Sequence, residues 1–92
     1  MENIRTYGRK PFHIGLLHGG PGASGDMKPV AEVLSDNFGV LEFLQTEKSV
    51  QGQIDELHRQ ITLHADIPII LVGHSWGAWL GYLFASRFPD LL

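Results

Sequence analysis

The sequence predicts an α/β fold of three layers, a parallel sheet with helices on both faces and the element order β-α-β-α-β-α. Three observations predict it. Apolar segments of strand length alternate with stretches whose apolar residues recur at helical spacing. Two strand-to-helix turns, at residues 18–22 and 73–77, are rich in glycine. The last strand is a continuous apolar run, as expected of a strand buried on both faces of a parallel sheet. Parallel neighbours need right-handed crossovers. If the first and third strands are adjacent, the second lies outside the first, in the order 2-1-3, with the first two helices on opposite faces.

The first strand spans Phe12 to Leu17, with Phe12, Ile14 and Leu16 on one face and His13, Gly15 and Leu17 on the other. Met27, Val30, Leu34 and Phe38 then repeat at helical spacing, with Asp26 as cap, Pro29 in the first turn and Gly39 as the stop. Val40 to Leu44 is the second strand. Ser49 caps a second helix, on which Val50, Ile54, Leu57 and Ile61 form an apolar stripe beside an ordinary polar face. Pro68 to Val72 is the third strand, and Trp76 to Phe88 a nearly all-apolar third helix. No internal repeat, linker or low-complexity segment interrupts this pattern.

The 92 residues have room for one small domain, residues 1–92. Hydrophobic residues make up 43% and charged residues 18%, a balance that favours a folded chain over a disordered one. Seven Lys and Arg against ten Asp and Glu, with no basic run, argue against nucleic acid as a partner. There is no cysteine, hence no disulfide or thiolate metal site, and the five histidines show no metal-ligand spacing. Glu2 stands where a signal peptide would be basic and no apolar segment follows it, so a cytoplasmic location is expected. Residues 67 to 86 contain no Asp, Glu, Lys or Arg, a run long enough for a membrane helix, with Gly73, Gly77 and Gly81 at the spacing of helix dimers. Pro68, His74 and Ser75 within the run, and the change at Gly73 from aliphatic to aromatic and Ala, point instead to a buried strand followed by a buried helix.

Gly73-His74-Ser75-Trp76-Gly77 matches G-x-S-x-G between a predicted strand and a predicted helix, the context that gives the motif its meaning. A turn this tight lifts the serine hydroxyl above the sheet, which makes Ser75 the candidate nucleophile. The N–H of Trp76, at the positive end of the helix, then faces a developing oxyanion. A glycine-rich turn with an incidental serine is the bland alternative. His18-Gly19-Gly20-Pro21-Gly22 follows the first strand in the same way, and its scarcity of side chains lets main chain approach a ligand. It lacks the phosphate-loop patterns, though a plain turn is also compatible with it. In a parallel sheet both loops lie along the edge where ligands bind. Gly20 N–H becomes a second oxyanion donor there, and Gly19, Gln45 and His74 are expected to border the substrate.

These two motifs resemble the α/β-hydrolase fold and, within it, the His-Gly-Gly-Pro-Gly group of proline iminopeptidases and related small esterases. The resemblance runs from residue 12 to residue 92. It implies Ser75 as the nucleophile of a nucleophile elbow, Gly20 and Trp76 as the oxyanion hole, and His18 as the anchor of its loop. Pro21 and Gly22, with Gly73 and Gly77, complete the motifs, and the Gly20-Pro21 bond is expected to be cis. A serine at the elbow sets the chain apart from haloalkane dehalogenases and epoxide hydrolases, which resemble this framework but use aspartate. Proline iminopeptidases usually carry Asp-Gln-Arg-Gly-x-Gly after the second strand. Here Leu44-Gln45-Thr46-Glu47-Lys48-Ser49 stands instead, so the resemblance implies hydrolysis of a small ester or amide rather than peptidase activity.

A serine nucleophile needs a base and an orienting acid, in the chain order Ser, Asp or Glu, His. After Ser75 the only acid is Asp90 and there is no histidine. By the resemblance, residues 89–92 stand where the next central strand begins, so the chain reads as the N-terminal portion of a hydrolase. It should be nearly inactive alone. Its expected partners are the small substrate and either a second copy of itself or a complementing C-terminal segment. No cofactor or metal is implied. The alternative reading is a catalytically inactive fragment or a small-ligand binding module of the same fold.

Overall fold

The computed structural model describes residues 3–20 and 27–92. Pro21, Gly22, the Gly20-Pro21 bond and Asp26 lie outside the described residues. Four strands, β1 (Ile4–Tyr7), β2 (Phe12–Leu17), β3 (Gly39–Phe43) and β4 (Ile70–Gly73), form one sheet in the order β1-β3-β2-β4. β2 runs parallel to β3 and to β4, with Ile14 opposite both Val40 and Ile70. The three parallel strands therefore have the order expected from sequence. β1 was not expected. It pairs antiparallel with β3, Ile4 opposite Phe43, and extends the sheet on one side.

The helices are α1 (Lys28–Leu34), α2 (Val50–His64) and α3 (Trp76–Arg87). On one face of the sheet Leu17, Leu41, Phe43 and Ile69 pack with Ile54, Leu57 and Ile61 of α2 and Leu80 and Phe84 of α3. On the other, Leu16 and Val40 pack beneath Met27 and Ala31 of the α1 segment. α1 and α2 thus lie on opposite faces, as the crossover rule requires. Ser49 caps α2 as expected, its hydroxyl accepting from Gly52 N–H at 2.9 Å.

Four expectations are corrected. α1 ends at Leu34 in a tight turn, where Asn37 N–H and Phe38 N–H both bond to Leu34 O, so Phe38 leaves the helical stripe and is 55% exposed. Gly39 opens β3 rather than closing the helix. Among the described residues β4 is an edge strand, and Ile70 on its uncovered face is 63% exposed, because no described helix covers the α1 side of the sheet there. Residues Pro89–Leu91 form a 3-10 turn instead of a strand, and Leu91 O accepts from Ile69 N–H at 2.9 Å just before β4.

Glu42 is buried on β3. Its Oε1 accepts from the Tyr7 hydroxyl at 3.1 Å and lies 3.8 Å from Arg5, which ties β1 to the sheet by side chains as well as backbone. Burial, and then the neighbouring Glu42 carboxylate, raise the Tyr7 phenol above its ordinary value of 10.0. A raised folded-state value favours the neutral phenol in the fold. The contribution of Tyr7 to stability is therefore complete below the unfolded value and is lost as pH rises through the folded one. Alkaline unfolding monitored by circular dichroism should show this loss above about pH 10, and Tyr7→Phe should remove it.

The core on the α2 side makes a second prediction. Ile61 is fully buried whereas Val50, at the head of the same stripe, is 49% exposed. Ile61→Ala should cost about 2–5 kcal/mol in urea unfolding, and Val50→Ala no more than about 0.5 kcal/mol.

Candidate active site

The ends of β2 and β4 and the start of α3 meet backbone to backbone. A Cβ at Gly77 would collide with the carbonyls of Leu17 and His18, and one at Gly73 with the backbone of Gly77 and Ala78. Only glycine allows α3 to begin this close to the sheet. His74 N–H bonds to Leu17 O at 3.2 Å, and Gly77 N–H to His74 O at 2.9 Å, which closes the turn.

Ser75, between these glycines, has φ 56 and ψ −120 and is the only described non-glycine residue with positive φ. Such a conformation costs of order 1–3 kcal/mol and persists only where the surroundings over-determine it. The residue is exposed, and its hydroxyl does not cap α3. Trp76 is the first residue of α3, so its N–H has no acceptor within the helix.

His18 is 4% exposed and joins two loops. Its Nε2 accepts from the backbone N–H of Gln45 at 3.0 Å, which can only donate, so Nδ1 carries the proton and donates to Gly19 O at 2.6 Å. Both ring nitrogens are engaged in holding backbone. Through these bonds His18 links the backbone of Gly19 to that of Gln45.

A cavity of about 310 Å³ opens at this edge, lined by His18, Gly20 and Trp76 on one side and by residues 45–48 and Gln53 on the other. The structure therefore brings Gly20, Trp76, His18 and Gln45 together. Ser75 stands beside the cavity and borders a separate apolar groove of about 470 Å³ with Ala78, Trp79 and Tyr82. Gly19 is buried and His74 exposed, and neither lines the cavity, in contrast to the expectation for both.

Sequence reasoning missed the polar face of α2, which builds the far wall. Glu56, 3% exposed, accepts from Thr46 N–H at 2.9 Å, Glu47 N–H at 3.2 Å and the Thr46 hydroxyl. Gln60 donates to the carbonyls of Asn3 and Leu44 and accepts from the Gln45 side chain at 3.2 Å. Gln53 accepts from Trp76 Nε1 at 2.6 Å and donates to Glu47 O. Residues 53, 56 and 60 share one helical face, and that spacing was the available signal.

No side chain among the described residues hydrogen-bonds to the Ser75 hydroxyl, and none of them form a group able to hold a metal ion. His13 bonds to Pro68 O and His58 packs on Phe88 at 4.3 Å between ring centroids, both structural contacts. Asp90 is exposed in the 3-10 turn. No described helix is long and apolar enough to cross a membrane.

Strand order, elbow position and helix placement define an α/β-hydrolase fold over the part that this chain spans. Among solved structures, the chain is similar to epoxide hydrolase VrEH1 from Vigna radiata (TM-score 0.83, 19% identity, 97% of this chain and 33% of that one). It is similar also to the thioesterase domain from the curacin biosynthetic pathway (TM-score 0.81, 25% identity, 97% and 38%) and to an inhibitor-bound epoxide hydrolase of Bacillus megaterium (TM-score 0.80, 22% identity, 99% and 36%). The chain thus spans about a third of the length of these enzymes. No protein-family model and no curated protein matches its sequence.

The contacts of Glu56 predict that Glu56→Ala costs about 1–3 kcal/mol by leaving the Thr46 and Glu47 donors without their acceptor. Hydrogen exchange should speed up first at those two amides, while the amides of β2 keep their protection.

Proposed function

We propose that this chain carries the nucleophile and oxyanion half of a serine hydrolase, acting on a small ester or amide through an acyl-Ser75 intermediate. The backbone of Ser75 carries this reading. The close packing of α3 on the sheet holds Ser75 in a strained, exposed conformation between a parallel strand and its helix, and an exposed hydroxyl at that turn is what a nucleophile needs.

In this mechanism Ser75 Oγ attacks the carbonyl carbon and its proton passes to a base. Charge develops on the carbonyl oxygen, where the N–H groups of Trp76 and Gly20 stabilise it. Collapse expels the alcohol or amine, which takes the proton from the base. Water then cleaves the acyl ester by the same steps and releases the acid. The base and its orienting acid come from a further segment or another chain.

Carbonyl chemistry fits a serine better than epoxide opening does. Attack of a hydroxyl on an epoxide carbon would leave an ether, which water does not readily cleave, while attack on an ester or thioester leaves a hydrolysable ester. Of the activities that the similar structures are named for, the thioesterase is therefore the closer chemical guide. The likeness of His18-Gly19-Gly20-Pro21-Gly22 to the proline iminopeptidase group supports a small substrate. A second reading, an inactive fragment or binding module, draws on the unpartnered Ser75 hydroxyl among the described residues.

The two readings separate in one experiment. Without its base the elbow should lose roughly 10⁶ in kcat and keep only about 10³ to 10⁴ over water. The chain alone should scarcely label with a fluorophosphonate or turn over p-nitrophenyl acetate. A downstream segment supplying further strands, an acid and a histidine should restore both, with a rate that rises as that histidine loses its proton near neutral pH. Ser75→Ala should abolish the gain. No gain on complementation favours the binding module, and Ser75-dependent turnover by the bare chain refutes a base supplied from outside these residues.

A further inference from the structure

The wall of the cavity that faces Gly20 and Trp76 holds one polar atom that its own contacts leave unmet. Gln60 decides which atom that is. Its Nε2 donates to the carbonyls of Asn3 and Leu44 at 3.1 and 3.2 Å, so its Oε1 is the atom turned toward Gln45. The Gln45 side chain must then present its NH₂ there, at 3.2 Å, because two amide oxygens cannot bond to each other. The amide is thereby fixed in one of its two orientations. Gln45 Oε1 is left buried without a partner. Buried acceptors are rarely left unmet, because the loss of water is then uncompensated. Gln45 itself is half-buried and lines the cavity, which places the orphaned oxygen at the cavity wall.

Its neighbours on that wall have the same character. The Thr46 hydroxyl donates its hydrogen to Glu56 and can only accept from elsewhere. Glu47 carries a carboxylate, again an acceptor. Gln53 is engaged at both amide atoms, by Trp76 Nε1 and by Glu47 O. Lys48 is the donor on this side, and its side chain is exposed. Across the cavity the polarity reverses. His18 has both ring nitrogens engaged, and beside it stand Gly20 and Trp76, whose backbone N–H groups are the donors of the reading proposed above.

We infer that Gln45 determines specificity: its Oε1 accepts from the N–H of a secondary amide whose carbonyl rests on Gly20 and Trp76. The inference rests on that oxyanion assignment and narrows the substrate from an ester or amide to a secondary amide. Such an amide is planar and trans, with its acceptor and its donor on opposite sides of one unit. That polarity matches donors on one wall of the cavity and acceptors on the other. An ester has the carbonyl but carries a second oxygen where the N–H would be, which sets one acceptor against another at Gln45.

A site that hydrogen-bonds a substrate N–H rejects the analogue without it, because its own buried group is then left unpaired. Gln45 is suited to this task by its rigidity. Gln60 holds its NH₂, and the Gln45 backbone N–H is held by His18, so the side chain cannot turn its oxygen away without breaking a bond. Every bond that fixes this orientation lies among the described residues. The volume of about 310 Å³ is at the small end of ligand sites, which fits a substrate of a few carbon atoms around the amide.

Three ligands of similar shape test this by titration into isotope-labelled protein, followed by NMR: N-benzylacetamide, benzyl acetate and N-benzyl-N-methylacetamide. The secondary amide should bind about tenfold more tightly than either of the others. The tertiary amide keeps the amide carbonyl and lacks the N–H, so it separates loss of the donor from a change of carbonyl. Shifts should centre on the Gln45 side-chain amide and the backbone N–H of Trp76. Gln45→Met should bring the secondary amide down to the affinity of the ester and leave the ester unchanged. Binding is read without turnover, so the result stands whether or not a complementing segment restores hydrolysis. Equal binding of all three, the outcome if water alone fills the orphaned acceptor, would overturn the inference. So would the absence of a saturable shift, or a preference for the N–H that survives Gln45→Met. The comparison in the unaltered protein decides the matter even if the variant fails to fold.

Discussion

The approach of the Gly77 backbone to the carbonyls of Leu17 and His18 is the contact on which the rest of the structure depends. It sets the depth at which α3 enters the fold. At that depth Leu80 and Phe84 reach the core shared with α2, and the first turn of α3 is pressed against the end of β2. The chain leaving β4 then has two residues, His74 and Ser75, in which to reverse between Gly73 and the helix start, and Ser75 takes the strained backbone that results. Packing energy from the buried residues of α3 thus holds a conformation that local preference opposes. The strain and the core are two ends of one constraint.

The facing wall is held by a different force. Residues 44–49 have no regular secondary structure, and most of their orientation comes from side chains of α2. Glu56 and Gln60 are buried polar groups, and each satisfies donors or acceptors that the loop would otherwise leave unpaired. His18 ties the glycine loop to the same segment through Gln45. Buried networks of this kind are stabilising where their members are satisfied, as Glu56 and Gln60 are here, while the buried Gln45 Oε1 is left without a partner.

How much of this was legible in the sequence depended on the range of the interaction. The parallel strands, their order and α2 follow from periodicity and from glycines that mark turns, both local signals. Ser75 was legible because its motif sits in a strand-to-helix context. β1 was not, since four residues of mixed polarity become a strand only when β3 offers its edge, more than thirty residues away. The end of α1 was misread because Phe38 keeps the helical spacing after the chain has already turned. Exposure of Ile70 could not be read from an apolar run, because burial of the second face requires an element to cover it. Gln53, Glu56 and Gln60 looked like solvent-facing residues, and only the loop packed against them reverses that meaning.

If Ser75 is the nucleophile proposed above, the same contacts position its backbone donors but supply no base among the described residues. Oxyanion donors are backbone groups, and packing of glycine turns against strand ends is enough to aim them. A base is a side chain that needs its own orienting partner. His18, the histidine lining the cavity, is unsuited to the task. Its Nε2 lone pair is taken by Gln45 N–H and its Nδ1 proton by Gly19 O, so service as a base would first break one of these bonds. That would leave a buried donor unmet at a cost of about 1–3 kcal/mol, and it would loosen the very loop that presents Gly20. On the proposed reading, a group that holds the Gly20 loop in place cannot also leave its position to collect a proton. On that reading the base comes from an element that does not hold this edge together.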